Sequence, residues 1–160
     1  MKSTGIVRKV DELGRVVIPK EIRKTSFISE GTPLEIYSGD DGEIVLKKYS
    51  LIKNLKSYSE EVAESLNSLI KGKVVICDNN EVISSSGINV KSATSFFETQ
   101  NSIHNKNGLF DYDGTKFYVK QIFCSGIIIG NIIVWGLNEF TQEILGAVNV
   151  MAIYLGKMAS

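Results

Sequence analysis

Seven basic side chains, Lys2, Arg8, Lys9, Arg15, Lys20, Arg23 and Lys24, fall within the first 24 residues against three acids, Asp11, Glu12 and Glu21. That is a local excess of four positive charges in a chain whose 18 bases and 18 acids cancel overall. Divided at Ser50, the chain carries nine bases and eight acids before the cut and nine and ten after it. The bias is therefore a local surface and not a property of the whole molecule. Ammonium and guanidinium groups gathered this way bind phosphate oxygens, and arginine adds a planar fork that fits base edges. The bland reading of the same pattern is the solvated face of a strand, because the bases alternate with apolar residues.

Other chemistry finds little support. Serines 84 to 86 lack the strand-to-helix elbow of a nucleophile, and the single histidine, His104, falls in a polar stretch. Asp40, Asp41, Asp111 and Asp113 read as turn residues. "GKVV" at 72–75 has no glycine-rich run before it, as a phosphate loop requires. Cys77 and Cys124 sit in separate apolar runs and read as buried free thiols, so neither a disulfide nor a metal site is expected. No enzyme activity, cofactor or metal is expected. The N-terminus lacks the apolar core of a signal peptide, and no run is long enough to cross a bilayer, which makes the cytoplasm the expected location and a membrane an unexpected partner.

The elements that would position the basic residues are short. "GIVRKV" and "RVVIP" read as two strands about a turn at Gly14, Lys20 to Ser26 as a helix opened by Pro19, and Leu34–Tyr37 and Glu43–Lys48 as a hairpin about "GDDG". Four short strands and one helix are too little for a monomeric core, so a partner chain is expected. From Ser50 the texture changes. Leu51, Leu55, Tyr58, Val62, Leu66, Leu69 and Ile70 recur at three- and four-residue spacing, which predicts an amphipathic helix ending at Gly72, either a connector, a dimer-forming helix or both. Strands follow in "KVVICDNNEVISSSG" and on either side of Ser125-Gly126, with a short helix over 91–99, a polar loop to residue 114 and an amphipathic C-terminal helix. Helices flanking an antiparallel sheet make the class α+β.

"MKSTGIVRKVDELGRVVIPKEIRKT" together with "PLEIYSGDDGEIVLKKY" resembles the DNA-binding domain of the AbrB family of transition-state and sporulation regulators of spore-forming bacteria. The continuation from "GKVVICDNNEVISSSG" is similar to family members whose second domain is of the GAF type. The resemblance implies residues 1–50 as a swapped-hairpin β-barrel in which two chains interlock, 51–71 as a linker or dimerisation helix, and 72–160 as a GAF-like regulatory and oligomerising domain. It also implies a homotetramer and double-stranded A·T-rich promoter DNA as partner, and for the second domain either an unidentified small-molecule effector held between sheet and loops or a purely structural dimerising role. Residues 86–114 are the expected cover of that pocket, with Phe96, Phe97, His104, Phe110 and Tyr112 as lining or as plain loop anchors. The place of action it implies is the nucleoid of a sporulating cell or developing spore. Carried over residue by residue, the DNA surface comprises Arg8, Lys9, Arg15, Arg23 and Lys24, flanked by Lys2 and Lys20. Lys24 stands where the family pattern often has arginine, which keeps the charge and loses the fork. "SFISEG" departs from a more leucine-rich helix end. The rival expectation is an antitoxin-like or scaffolding protein whose tail binds another protein; such tails are acidic and disordered, whereas this one alternates strands and helices.

Overall fold

The computed structural model describes residues 3–26, 28–78, 80–99, 103 and 106–160. The chain divides into two compact units, Met1–Tyr49 and Ser50–Ser160.

In the first unit, helix α1 (Lys20–Thr25) follows Pro19, and β1 (Leu34–Ser38) pairs antiparallel with β2 (Ile44–Lys48). The intervening "GDDG" turn closes through Gly39 N–H to the Glu43 carbonyl, 2.8 Å. The expected strands at 5–10 and 15–18 are not formed. Backbone pairing there is confined to the turn itself, where Asp11 N–H reaches the Arg15 carbonyl and Gly14 N–H the Asp11 carbonyl, both at 3.0 Å. A strand is completed by its neighbour's N–H and C=O groups, and among the described residues these segments lie beside no strand. No described residue of this unit is buried. Val7 is 84% exposed, Val17 73% and Ile44 76%, values expected of polar residues.

The second unit is built differently. A 3-10 turn (Ile52–Leu55) leads into α2 (Lys56–Ile70), and five antiparallel strands lie in the order β4-β3-β7-β6-β5. These are β3 (Lys73–Cys77), β4 (Val82–Ser86), β5 (Gly108–Tyr112), β6 (Thr115–Cys124) and β7 (Ile127–Trp135). Two further helices are α3 (Val90–Thr99) and α4 (Gln142–Met158). Both faces of the sheet are covered, which explains why β3 and β7 read as apolar runs instead of alternating ones, interrupted in β7 at Gly130-Asn131. One face packs Val74, Ile76, Ile122, Ile132 and Val134 against Ile52, α2 (Val62, Ala63, Leu66, Ile70) and α4 (Val148, Ala152, Leu155). The other packs Val75, Cys77, Phe117, Val119, Ile133 and Trp135 beneath Ala93 and Phe97 of α3 and Ile103. The helix read as a connector, a dimer-forming helix or both is thus a layer of this unit, with its apolar stripe against the sheet.

Two local readings are corrected. The chain leaves α2 through Lys71, whose φ is +55°, and not through the glycine that follows it. Part of the expected loop before residue 114 is strand β5, joined to β6 by Asp113-Gly114 with φ of +50° and +72°, the two-residue hairpin geometry that also joins β6 to β7 at Ser125-Gly126.

α4 approaches β6 most closely at Gly156, where an added Cβ would overlap the backbone carbonyl of Phe123. Backbone cannot step aside as a side chain can. Gly156→Ala is therefore expected to destabilise the second unit by about 1–3 kcal/mol, read as a lower unfolding midpoint in urea. An unchanged midpoint would mean that α4 does not seat this close to β6.

Candidate nucleic-acid interface

Six of the seven expected basic residues, Arg8, Lys9, Arg15, Lys20, Arg23 and Lys24, are exposed in the first unit; Lys2 lies outside the described residues. They fall into two groups. Arg8, Lys9 and Arg15 flank the turn, and Lys20, Arg23 and Lys24 lie on α1.

The turn is held by one carboxylate. Asp11 Oδ1 accepts from the backbone N–H of Leu13 (3.0 Å) and of Arg15 (2.8 Å), and Oδ2 accepts from Arg15 Nε at 2.8 Å. These are the local bonds for which aspartate is favoured in turns. Gly14, at φ +75°, occupies the left-handed position the turn needs. The Arg15 backbone N–H, then its guanidinium, hold the Asp11 carboxyl below the usual carboxylate range. The folded value being the lower, this contribution is present above the ordinary carboxylate pKa and is lost as pH falls through the depressed one. The pair is solvent-exposed, so its worth lies in orientation more than in stability. It engages only Nε of Arg15, so four guanidinium N–H donors lie outside it. Arg8 is tethered more loosely, Nη1 donating to the Val7 carbonyl at 3.1 Å.

On α1, Arg23 and Lys24 sit in the last turn, and Thr25 Oγ1 donates back to the carbonyls of Glu21 and Ile22, both at 3.1 Å. The helix stops where Ser26 N–H bonds the Ile22 carbonyl and Ile28 N–H the Arg23 carbonyl. Lys20, Arg23 and Lys24 then line a shallow recess of about 460 Å³ with Ile28, Ser29 and Glu30. Three cations facing one open recess suit a phosphate oxygen, and Glu30 bounds it on one side. The recess was not visible in the sequence, because it depends on how "SFISEG" turns back after the helix.

The other candidate groups have structural partners. Ser84 Oγ donates to the Ser59 carbonyl (2.9 Å) and Ser85 Oγ to that of Ile88 (3.2 Å). Asp111 Oδ1 accepts from Gly114 N–H at 3.0 Å. Cys77 and Cys124 are buried free thiols, and burial, with Asp78 alongside, pushes the Cys77 thiol well above its usual range. Phe96, Phe110, Phe117 and Trp135 stack on one another with ring centres 4.7 to 5.7 Å apart, an internal aromatic layer, while Tyr112 is partly exposed. His104 lies outside the described residues. Among the described residues no cluster suits a metal ion, and no helix is long and apolar enough to cross a membrane.

Residues 7–54 match a family model described as antidote-toxin recognition MazE, bacterial antitoxin. The chain is 38% identical over 161 residues to stage V sporulation protein T of Bacillus subtilis (strain 168), covering 90% of each. It is 54% identical over 76 residues to the transition state regulatory protein AbrB of the same organism, covering 48% of this chain and 77% of that one. Among solved structures, a GAF domain/HD domain protein from Geobacter sulfurreducens matches at 9% identity, covering 71% of this chain and 96% of that chain with a TM-score of 0.51. That likeness is one of fold alone, and it gives the second unit a GAF-type fold. With the first relative aligned through both units and AbrB through the first, the chain belongs to the family of stage V sporulation protein T and AbrB.

Proposed function

We propose that the protein is a DNA-binding transcriptional regulator of sporulation genes. Its heads bind A·T-rich promoter DNA as an intertwined dimer, and its GAF-type units join such dimers into a tetramer and sense a small molecule. One observation carries the reading: six exposed cations sit on the turn and short helix of a unit whose valines, isoleucines and leucines have no core within their own chain. A second copy that buries those residues brings a second set of cations with it.

In this reading Lys9, Lys20 and Lys24 anchor phosphates, and Arg8, Arg15 and Arg23 add base-edge or groove-shape readout. Asp11 presets the Arg15 guanidinium, so less side-chain freedom is lost on binding. Tetramerisation draws support from α4, which leaves Val150, Ile153 and Tyr154 exposed on one side at helical spacing. The antitoxin-like alternative is favoured by the family model over the head. The doubly covered sheet that follows weighs against it, because a toxin-binding tail of the expected kind would not fold alone. No catalytic role is assigned to any residue.

Anisotropy titrations of an A·T-rich duplex with the full-length protein, across a salt series, test the DNA reading. The expected result is a steep fall of log K with log salt, near one released ion per phosphate contact. Arg15→Ala is expected to lose about 1–3 kcal/mol if it reads a base edge. Absence of binding at moderate salt would refute the proposal.

Assembly is tested separately by light scattering on full-length variants. Val17→Asp is expected to halve the mass by opening the heads and to abolish DNA binding, whereas Ile153→Asp is expected to halve the mass and leave head dimers. A variant that keeps the wild-type mass would remove the interface it addresses.

A further inference from the structure

Asn131 lies on the central strand of the second unit's sheet, in register with Cys77 of β3 on one side and Gln121 of β6 on the other. Directly paired residues share a face, so the three form a polar row across three strands. The side is the one covered by α3, since Cys77 belongs to that core. Asn131 has no exposed surface, and neither its Oδ1 nor its Nδ2 has a hydrogen-bond partner. On that row Cys77 Sγ approaches the Asn131 backbone carbonyl at 3.9 Å and Gln121 N–H donates to Asn107 Oδ1 at 3.3 Å, and neither contact engages the Asn131 carboxamide.

Such a group is costly to folding: an unpartnered buried amide loses its water and receives nothing in exchange. Valine or isoleucine would pack here as it does at Ile132, Ile133 and Val134. The other orphaned atom, Ser59 Oγ, is a single rotor on a helix, which can turn toward a carbonyl of the preceding turn. A carboxamide in a strand has no such recourse. Its donor and acceptor, fixed side by side in an apolar wall, match the complementary pair on a ligand.

We propose that the Asn131 carboxamide, at the centre of the Cys77–Asn131–Gln121 row, is the recognition group for an uncharged small molecule whose polar edge carries a hydrogen-bond donor beside an acceptor. This rests on the reading of the GAF-type unit as a sensor. The ligand is uncharged because the rest of that core is apolar: Val75, Val119, Ile133 and the aromatic layer of Phe96, Phe117 and Trp135. The one buried acid nearby, Asp78, already accepts from the backbone N–H groups of Asn80 and Glu81. With Asn131 fully buried, entry requires the layer of α3 and Ile103 to lift from the sheet. Ligand binding and movement of that layer are therefore one event, and the unpartnered amide raises the energy of the closed state that the ligand replaces.

The probe is 2-pyridone, a flat neutral ring with adjacent N–H and C=O, compared with N-methyl-2-pyridone, which keeps the ring and acceptor and lacks the donor. Ligand-observed NMR titration of each into the full-length protein is expected to show 2-pyridone binding at least about tenfold more tightly. Asn131→Leu, of similar shape and apolar, is expected to erase the preference. Equal binding of the two probes to the wild type, or a preference that survives Asn131→Leu, would overturn the site; the wild-type comparison decides alone if the variant does not fold. Operator affinity measured with saturating 2-pyridone separates the site from the regulator reading. Selective binding with unchanged operator affinity supports the site and removes sensing from the proposed function, whereas an operator response to 2-pyridone that persists in Asn131→Leu overturns the site alone.

Discussion

Everything about the head follows from one deficit: none of its described residues is buried, so its apolar side chains have no core of their own. Forty-nine residues with one six-residue helix and a hairpin of two five-residue strands cannot enclose a core. Val7, Val10, Val16 and Val17 alternate or run together with Arg8, Lys9 and Arg15 on the same short segments. In extended backbone, neighbouring residues point to opposite faces. Val7 then shares a face with Lys9, Val10 with Arg8 and Val17 with Arg15, so a surface that covers these valines leaves the long basic side chains to reach past it, apolar stem inward and charge outward.

The second unit has the opposite economy. Its sheet is enclosed on both sides within one chain, with α2 and α4 over one face and α3 over the other. Polar contacts pin the layers: Tyr118 Oη donates to Asn149 Oδ1 of α4 at 2.6 Å, and Ser84 Oγ ties β4 to α2. The two units thus differ in where their apolar residues go, into a core in the second and onto the surface in the first.

Much of this was legible in the chain. The "GDDG" and "SG" turns placed two hairpins, and three-four spacing placed α2 and α4. What escaped did so for physical reasons. Strand β5 was hidden in a polar stretch, although Asp113-Gly114 carried the same turn signal as its neighbour. The strands about Gly14 have the right residues, but β structure is a property of a pair, and among the described residues they pair with no strand. The recess on α1 depends on the path after the helix, which no spacing encodes. Asn131 was not singled out, because a polar residue within a strand sequence carries no mark of its partners; only its burial between Cys77 and Gln121 shows that its amide is unanswered.

The strand order has a consequence for the life of the chain before it is folded. "IIIGNIIVW" of β7 is the stretch of this protein most suited to cross-β aggregation, rich in β-branched residues, uncharged and free of proline. In the finished sheet it is the middle strand, and the outer positions go to β4, with three serines in five residues, and to β5, which carries Gly108 and Asp111. Short polar rims deny other chains a template. Both of its partners, β3 and β6, precede it in the chain, so a ribosome has already delivered the two strands that flank it when the adhesive one emerges.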